Sequence, residues 1–256
     1  MLDTLLAQWN KTESNPPHGS FPPVVQRRFH GSQYAPWSEA FREVHKHFRK
    51  VLVTEYRGTP RPCGIRWKDL EPMQWPNDLL AYDEVIRQTK PRTLIETGTH
   101  QGHTTMYFAD CLDRIHPDGR WQILTMELLP TSPPKWEDAR IKQFVGHSPD
   151  FAEPVRDACA AFEGPVMLTL DSDHTAKHVL AEIAAFSPLV TPGQFMIVQD
   201  TWCGFCAGMD GEHDYHWHAL GAVEALLDVY PNDWEIDNWP TRYLAMQSPF
   251  GFLRRR

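Results

Sequence analysis

Three groups of residues have the types and spacing to do chemistry. The first is Glu96-Thr97-Gly98-Thr99-His100-Gln101-Gly102, which follows the apolar pair Leu94-Ile95. Gly98 and Gly102 let the backbone turn tightly and approach a ligand, and a helix starting just beyond them directs free N–H groups into the same space. A dinucleotide fingerprint has glycine at the middle position, where this chain has His100. A bulky residue there crowds a pyrophosphate but leaves room for an amino-acid carboxylate, and Glu96 is placed to receive an ammonium group. A methionine moiety carries both groups. The run therefore predicts an S-adenosylmethionine site with Glu96, Thr97, Gly98, Thr99 and Gly102 as contacts; the competing reading is an ordinary strand-to-helix turn.

The second group extends that site. Glu127 closes the apolar stretch Ile123-Leu124-Thr125-Met126, about 25 residues past the glycine turn. A carboxylate so placed accepts the ribose hydroxyls of an adenosine, although a solvated strand-end acid has the same look. Ser148, in Gly146-His147-Ser148-Pro149-Asp150, falls where a loop would meet the adenine.

The third group pairs Leu170-Asp171-Ser172-Asp173-His174 with Val198-Gln199-Asp200-Thr201. Asp171, Asp173 and Asp200 bring carboxylates toward one point, where they repel unless a hard divalent cation such as Mg²⁺ joins them. Gln199 adds a neutral, weak ligand. Asp171 borders both metal and cofactor in this reading and counts as catalytic. His174 beside the acids is a candidate general base, and His178 one turn on shares its face. The alternative makes Asp173 a helix N-cap and leaves the other acids solvated.

To position these residues the chain needs strands that end at each motif. Arg92–Glu96, Trp121–Glu127, Ile141–Gly146, Val166–Asp171 and Gln194–Asp200 read as buried strands. Helices are expected over Asp78–Thr89, His103–His116, Phe151–Phe162, His174–Phe186 and Gly221–Tyr230. Glu235–Asp237, Tyr243–Gln247 and Gly251–Arg254 read as closing strands. This alternation predicts an α/β fold, a Rossmann-like, doubly wound, mostly parallel sheet, with ligands bound off the carboxyl ends of its strands. Ahead of it, residues 1–60 read as an N-terminal arm, with helices at Leu2–Trp9 and Trp37–Val53. Residues 61–256 form the main domain, and the arm offers a surface for a homo-oligomer.

Composition removes other classes. A net charge of −8 over 256 residues provides no basic field for a nucleic-acid backbone. No run reaches the roughly 18 apolar residues of a membrane span. Five cysteines make no disulfide framework, and with the acidic start of the chain they predict a cytoplasmic protein. Cys203 and Cys206, followed by His213, His216 and His218, lack the second ligand pair of a usual zinc site.

Beyond these motifs the chain resembles the cephalosporin hydroxylase family, which includes rhamnosyl O-methyltransferases, within the class I S-adenosylmethionine-dependent methyltransferases. The matching segments run in order: Gly64-Ile65-Arg66-Trp67, Pro72-Met73-Gln74, Asp78-Leu79, Ile95-Glu96-Thr97-Gly98-Thr99, Leu170-Asp171-Ser172-Asp173-His174, His178-Val179-Leu180, Pro188-Leu189-Val190, Val198 with Asp200-Thr201, and Gly251-Phe252-Leu253. The resemblance implies a methyltransferase that binds Mg²⁺ near Asp171 or Asp173 and at Gln199-Asp200. The family commonly has an acid where Gln199 stands, and its segment after Thr201 is commonly rich in Gly and Pro. The expected activity is Mg²⁺-assisted O-methylation of a small-molecule natural product or sugar. Three other readings stay open: a hydroxylase-like tailoring component, a nicotinamide-dependent oxidoreductase, and a non-catalytic partner that keeps the fold.

Overall fold

The computed structural model describes residues 1–12, 43–44, 66–130, 136–201, 219–237, 243 and 246–256. Five parallel strands form its centre: β1 (Thr93–Thr97), β2 (Gln122–Glu127), β3 (Ile141–Val145), β4 (Val166–Leu170) and β5 (Phe195–Val198). Two short strands follow at one edge, β6 (Trp234–Ile236) and β7 (Phe252–Arg255). The sheet order is β3-β2-β1-β4-β5-β7-β6, with β7 antiparallel to both of its neighbours. This confirms the doubly wound, mostly parallel sheet.

The strands are nearly continuous apolar runs because both faces are covered. Successive residues point to opposite faces, so the pairs Leu94/Ile95, Ile123/Leu124, Met167/Leu168 and Ile197/Met196 each split between two cores. One face packs on α2 (Pro76–Thr89) and α3 (His103–Ile115) through Tyr82, Val85, Phe108 and Leu112. The other face packs on α5 (Ala176–Phe186) and α6 (Ala219–Val229) through Leu180, Ile183, Val223 and Leu226; α4 (Ala152–Ala160) adds Val155.

α1 (Leu2–Thr12) runs three residues beyond the expected helix end and is part of this second core. Its Leu5 and Trp9 are buried, and Gln8 Nε2 donates to Asp228 on α6. Gly221 on α6 makes the fit possible: a Cβ there would lie 2.1 Å from the Trp9 ring. α1 therefore packs on helices of its own chain. The expected helix at residues 37–53 and the division at residue 60 fall, apart from residues 43–44, outside the described residues.

Several expected boundaries move for local reasons. α5 starts at Ala176, two residues late, because Thr175 is its cap and accepts the His178 N–H through its side chain. Asp173 instead accepts the Thr175 N–H at 2.8 Å, so it precedes the cap. The expected strand at Tyr243–Gln247 is not formed at its described residues, Tyr243, Met246 and Gln247. Among the described residues, no helix is long and apolar enough to cross a membrane.

Candidate active site

A cavity of about 540 Å³ opens over the carboxyl ends of β1 to β5. The strand order reverses between β1 and β4, and the crevice at such a switch point is where open α/β sheets take ligands. Gly98, Thr99, Glu127, Ser148, Asp171, Asp173, His174 and Asp200 all line it.

The glycine turn is shaped by the protein as much as by any ligand. Gly98 has φ +84°, and a Cβ there would lie 1.8 Å from the Asp171 carbonyl oxygen. Its bareness thus lets the end of β4 close on the end of β1, whereas the sequence suggested room for a ligand. Gly102 has φ +76°, and a Cβ there would meet the Trp136 ring at 2.3 Å; it caps α3 and is not among the cavity-lining residues. Thr97 is fully buried, and its carbonyl accepts the Asp171 N–H at 3.0 Å. Thr99 Oγ1 pairs with Thr125 Oγ1 at 2.6 Å under the cavity.

Glu96 is the clearest departure from expectation. Its side chain is buried below the turn, accepting hydrogen bonds from Thr105 Oγ1 at 2.5 Å and Thr125 Oγ1 at 2.6 Å, and it does not line the cavity. Burial pushes its pKa up to about 7, against the opposing pull of those two bonds. A carboxyl turned into the core braces the turn and does not present itself to an ammonium group in the cavity.

Glu127 does face the cavity. One oxygen accepts the His100 N–H at 2.6 Å and the other the Leu128 N–H at 2.8 Å. The bond to His100, which sits at φ +47°, ties the β1 turn to the end of β2. A carboxylate has about four lone-pair sites, so two stay open for hydroxyl groups.

On the β4–β5 side, Asp171, His174 and Asp200 bring one ligand atom each to within 4.8 Å of one another. His174 Nε2 lies 3.0 Å from Asp200 Oδ2. Asp200 has φ +53°, a left-handed conformation uncommon for a residue with a side chain and one that marks functional turns. The Asp171 pKa is raised well above the usual carboxylate value, first by burial, then by the charges of Asp200 and Glu96. Gln74 Nε2 opposes this by donating to Asp171 Oδ2 at 2.9 Å.

Beneath this corner, Asp78 is fully buried and its pKa rises to about 7 through burial, although it accepts the N–H groups of Gln247 and Ser248. Gln247 accepts the Trp75 N–H through Oε1 at 2.9 Å, which aims its amide nitrogen at Asp200 Oδ1, 3.5 Å away. Two glutamines thus steady the two acids. Gln74 stood in a segment singled out in the sequence; Gln247 had no signal there.

Two of the expected metal ligands lie outside this cluster. Gln199 is buried, and its Nε2 donates to Thr169 Oγ1 at 3.0 Å. Asp173 is exposed at the rim; burial raises its pKa, but hydrogen bonds from Thr175 outweigh that and hold it low. Ser148, nearly buried, donates its hydroxyl to Glu182 Oε1 on α5. The cysteine and histidine insertion at 203–218 lies outside the described residues.

Residues 63–256 match the family model described as Rhamnosyl O-methyltransferase/CmcI. A rhamnosyl O-methyltransferase of Mycobacterium tuberculosis (strain ATCC 25618 / H37Rv) is 28% identical over 233 residues, covering 87% of each chain. The rhamnosyl O-methyltransferase of Mycobacterium leprae (strain TN) is 25% identical over 230 residues, covering 87% of this chain and 90% of that one. Among solved structures, CmcI with Mg and SAM aligns with a TM-score of 0.57 at 16% identity, over 79% of this chain and 83% of that chain. The CmcI apo-structure aligns with a TM-score of 0.58 at 17% identity, over 78% and 79% of the two chains. These likenesses show a shared fold.

Proposed function

The chain belongs to the rhamnosyl O-methyltransferase/CmcI family, and from that premise we propose that it moves a methyl group from S-adenosylmethionine to a hydroxyl of a sugar or other small natural product, assisted by Mg²⁺. The observation that carries the proposal is the meeting of Asp171, His174 and Asp200 within 4.8 Å on the wall of the cavity that Glu127 also lines.

The residues fit both groups. The start of α3, with His103 and Thr104 on the cavity wall, would hold the carboxylate of the methionine end. Glu127 has lone pairs left for the ribose hydroxyls, and the β3 end, with Ser148, lies next in the row for the adenine. Asp171 and Asp200 supply hard oxygen donors of the kind Mg²⁺ takes, within 4.8 Å of each other. Bound together, S-adenosylmethionine supplies an electrophilic methyl and Mg²⁺ lowers the pKa of a hydroxyl placed at the acids.

The remaining work falls to the chain. His174, held by Asp200, accepts the proton of the acceptor hydroxyl, and Asp200 stabilises the imidazolium that results. Gln74 and Gln247 keep the two carboxylates in place, so catalysis here is chiefly positioning. A cytoplasmic setting suits this chemistry, with Cys111 and Cys159 as free thiols.

The test is transfer of labelled methyl from S-adenosylmethionine to rhamnoside acceptors with Mg²⁺ present. Turnover that Asp200→Asn strongly lowers supports the proposal. If the protein does not bind S-adenosylhomocysteine at all, the proposal is lost.

A further inference from the structure

Two hydroxyls and an imidazole at the β3 and β4 ends of the cavity converge on one buried oxygen. Ser148 Oγ donates to Glu182 Oε1 at 2.5 Å, and Ser172 Oγ donates to the same atom at 2.6 Å. His178 Nε2 lies 3.1 Å from it and 3.0 Å from Ser172 Oγ. Ser148, Ser172 and His178 line the cavity, whereas Glu182 is wholly buried behind them on α5. Its second oxygen, Oε2, has no hydrogen-bond partner among the described residues.

A buried carboxyl costs several kcal/mol unless it is compensated, so a mere packing strut at this place would be better built from an apolar side chain. The consequence of an acid lies in its neighbours. A serine hydroxyl has one proton to give and two lone pairs. With their protons turned inward to Glu182, Ser148 and Ser172 offer the cavity lone pairs only. The hydrogen bond to Glu182 also raises the His178 pKa.

We propose that Glu182 is a specificity-determining residue: acting through Ser148 and Ser172, it makes this end of the cavity select a base edge that donates a hydrogen bond, such as the exocyclic amino group of adenine, over one that carries a carbonyl there. The inference rests on the adenosyl reading given above. It assigns to a side chain outside the cavity the polarity of the groups inside it.

The test compares binding of S-adenosylhomocysteine with S-inosylhomocysteine, in which a carbonyl replaces that amino group, by calorimetry on the full chain. The wild-type protein is expected to prefer the adenosyl form by about 10- to 100-fold, the cost of facing acceptor to acceptor in a partly buried site. In Glu182→Met the serine protons are free to turn outward, and the preference is expected to fall to within about threefold. A thermal melt establishes that this variant folds; if it does not, the double variant Ser148→Ala/Ser172→Ala decides, because loss of the acceptors lowers affinity for the adenosyl form alone. A purely structural role would weaken both ligands alike and leave their ratio intact. Equal binding of both ligands by the wild-type protein, or a ratio unchanged in a folded variant, overturns the inference. If neither ligand binds, the adenosyl reading itself fails and takes this inference with it.

Discussion

The two walls of the cavity treat their carboxylates in opposite ways. On the β2–β3 side, Glu127 accepts two backbone N–H groups, and Glu182 gathers two hydroxyls and an imidazole. On the β4–β5 side, Asp171 has the Gln74 amide for its side chain, and Asp200 and Glu96 push its pKa upward. The first wall turns its acids toward hydrogen-bond donors of the protein. The other sets two acids beside a histidine, with His174 Nε2 3.0 Å from Asp200 Oδ2. In the proposed reading the first wall recognises a ligand while the second performs the reaction.

The largest effect expected from this contrast is on turnover. Asp200→Asn removes a charge from the corner shared by Asp171, His174 and Asp200 and should lower methyl transfer about 10²- to 10³-fold, while S-adenosylhomocysteine affinity measured by calorimetry stays close to wild type. Comparable losses of rate and of cofactor affinity would erase the distinction between the walls.

Glu96 sharpens the comparison, because it is an acid buried under the turn with a pKa near 7. A carboxyl whose folded pKa lies above its unfolded value favours the folded state below about pH 4.5, and that support is lost as pH rises through about 7. Glu96→Gln should therefore match the wild type near pH 4.5 and be more stable at pH 8, by up to about 3 kcal/mol at roughly 1.4 kcal/mol per pKa unit. Urea unfolding at the two pH values checks this, and a stability gap independent of pH would contradict it.

Mg²⁺ should raise the melting temperature of the wild-type protein. At a concentration about 100 times its Kd the gain is about 2.7 kcal/mol, and Asp171→Asn should lose it. The smallest effect belongs to Asp173→Asn, which leaves the cluster intact. We expect less than about a threefold change in rate, in line with substitutions at exposed positions. A rate falling as far as in Asp200→Asn would return Asp173 to the metal site.

Much of this arrangement was legible in the chain. The strands stood out as apolar runs because a doubly covered sheet tolerates little else, and Asp171, His174 and Asp200 stood out because they close two of those runs. Side-chain direction is less legible. Gln199 precedes Asp200 at a strand end, where neighbours alternate, so one faces the cavity and the other Thr169. The inward turn of Glu96 leaves no local signal because its partners, Thr105 and Thr125, come from a helix and a different strand. Gln74 and Gln247 act through contacts far apart along the chain, and local spacing carries no trace of such pairs.

The most direct test of the central claim is a calorimetric titration of Mg²⁺ into protein saturated with S-adenosylhomocysteine. The account predicts one ion per chain, lost in both Asp171→Asn and Asp200→Asn. It is contradicted if no ion binds while methyl transfer proceeds at full rate in excess chelator.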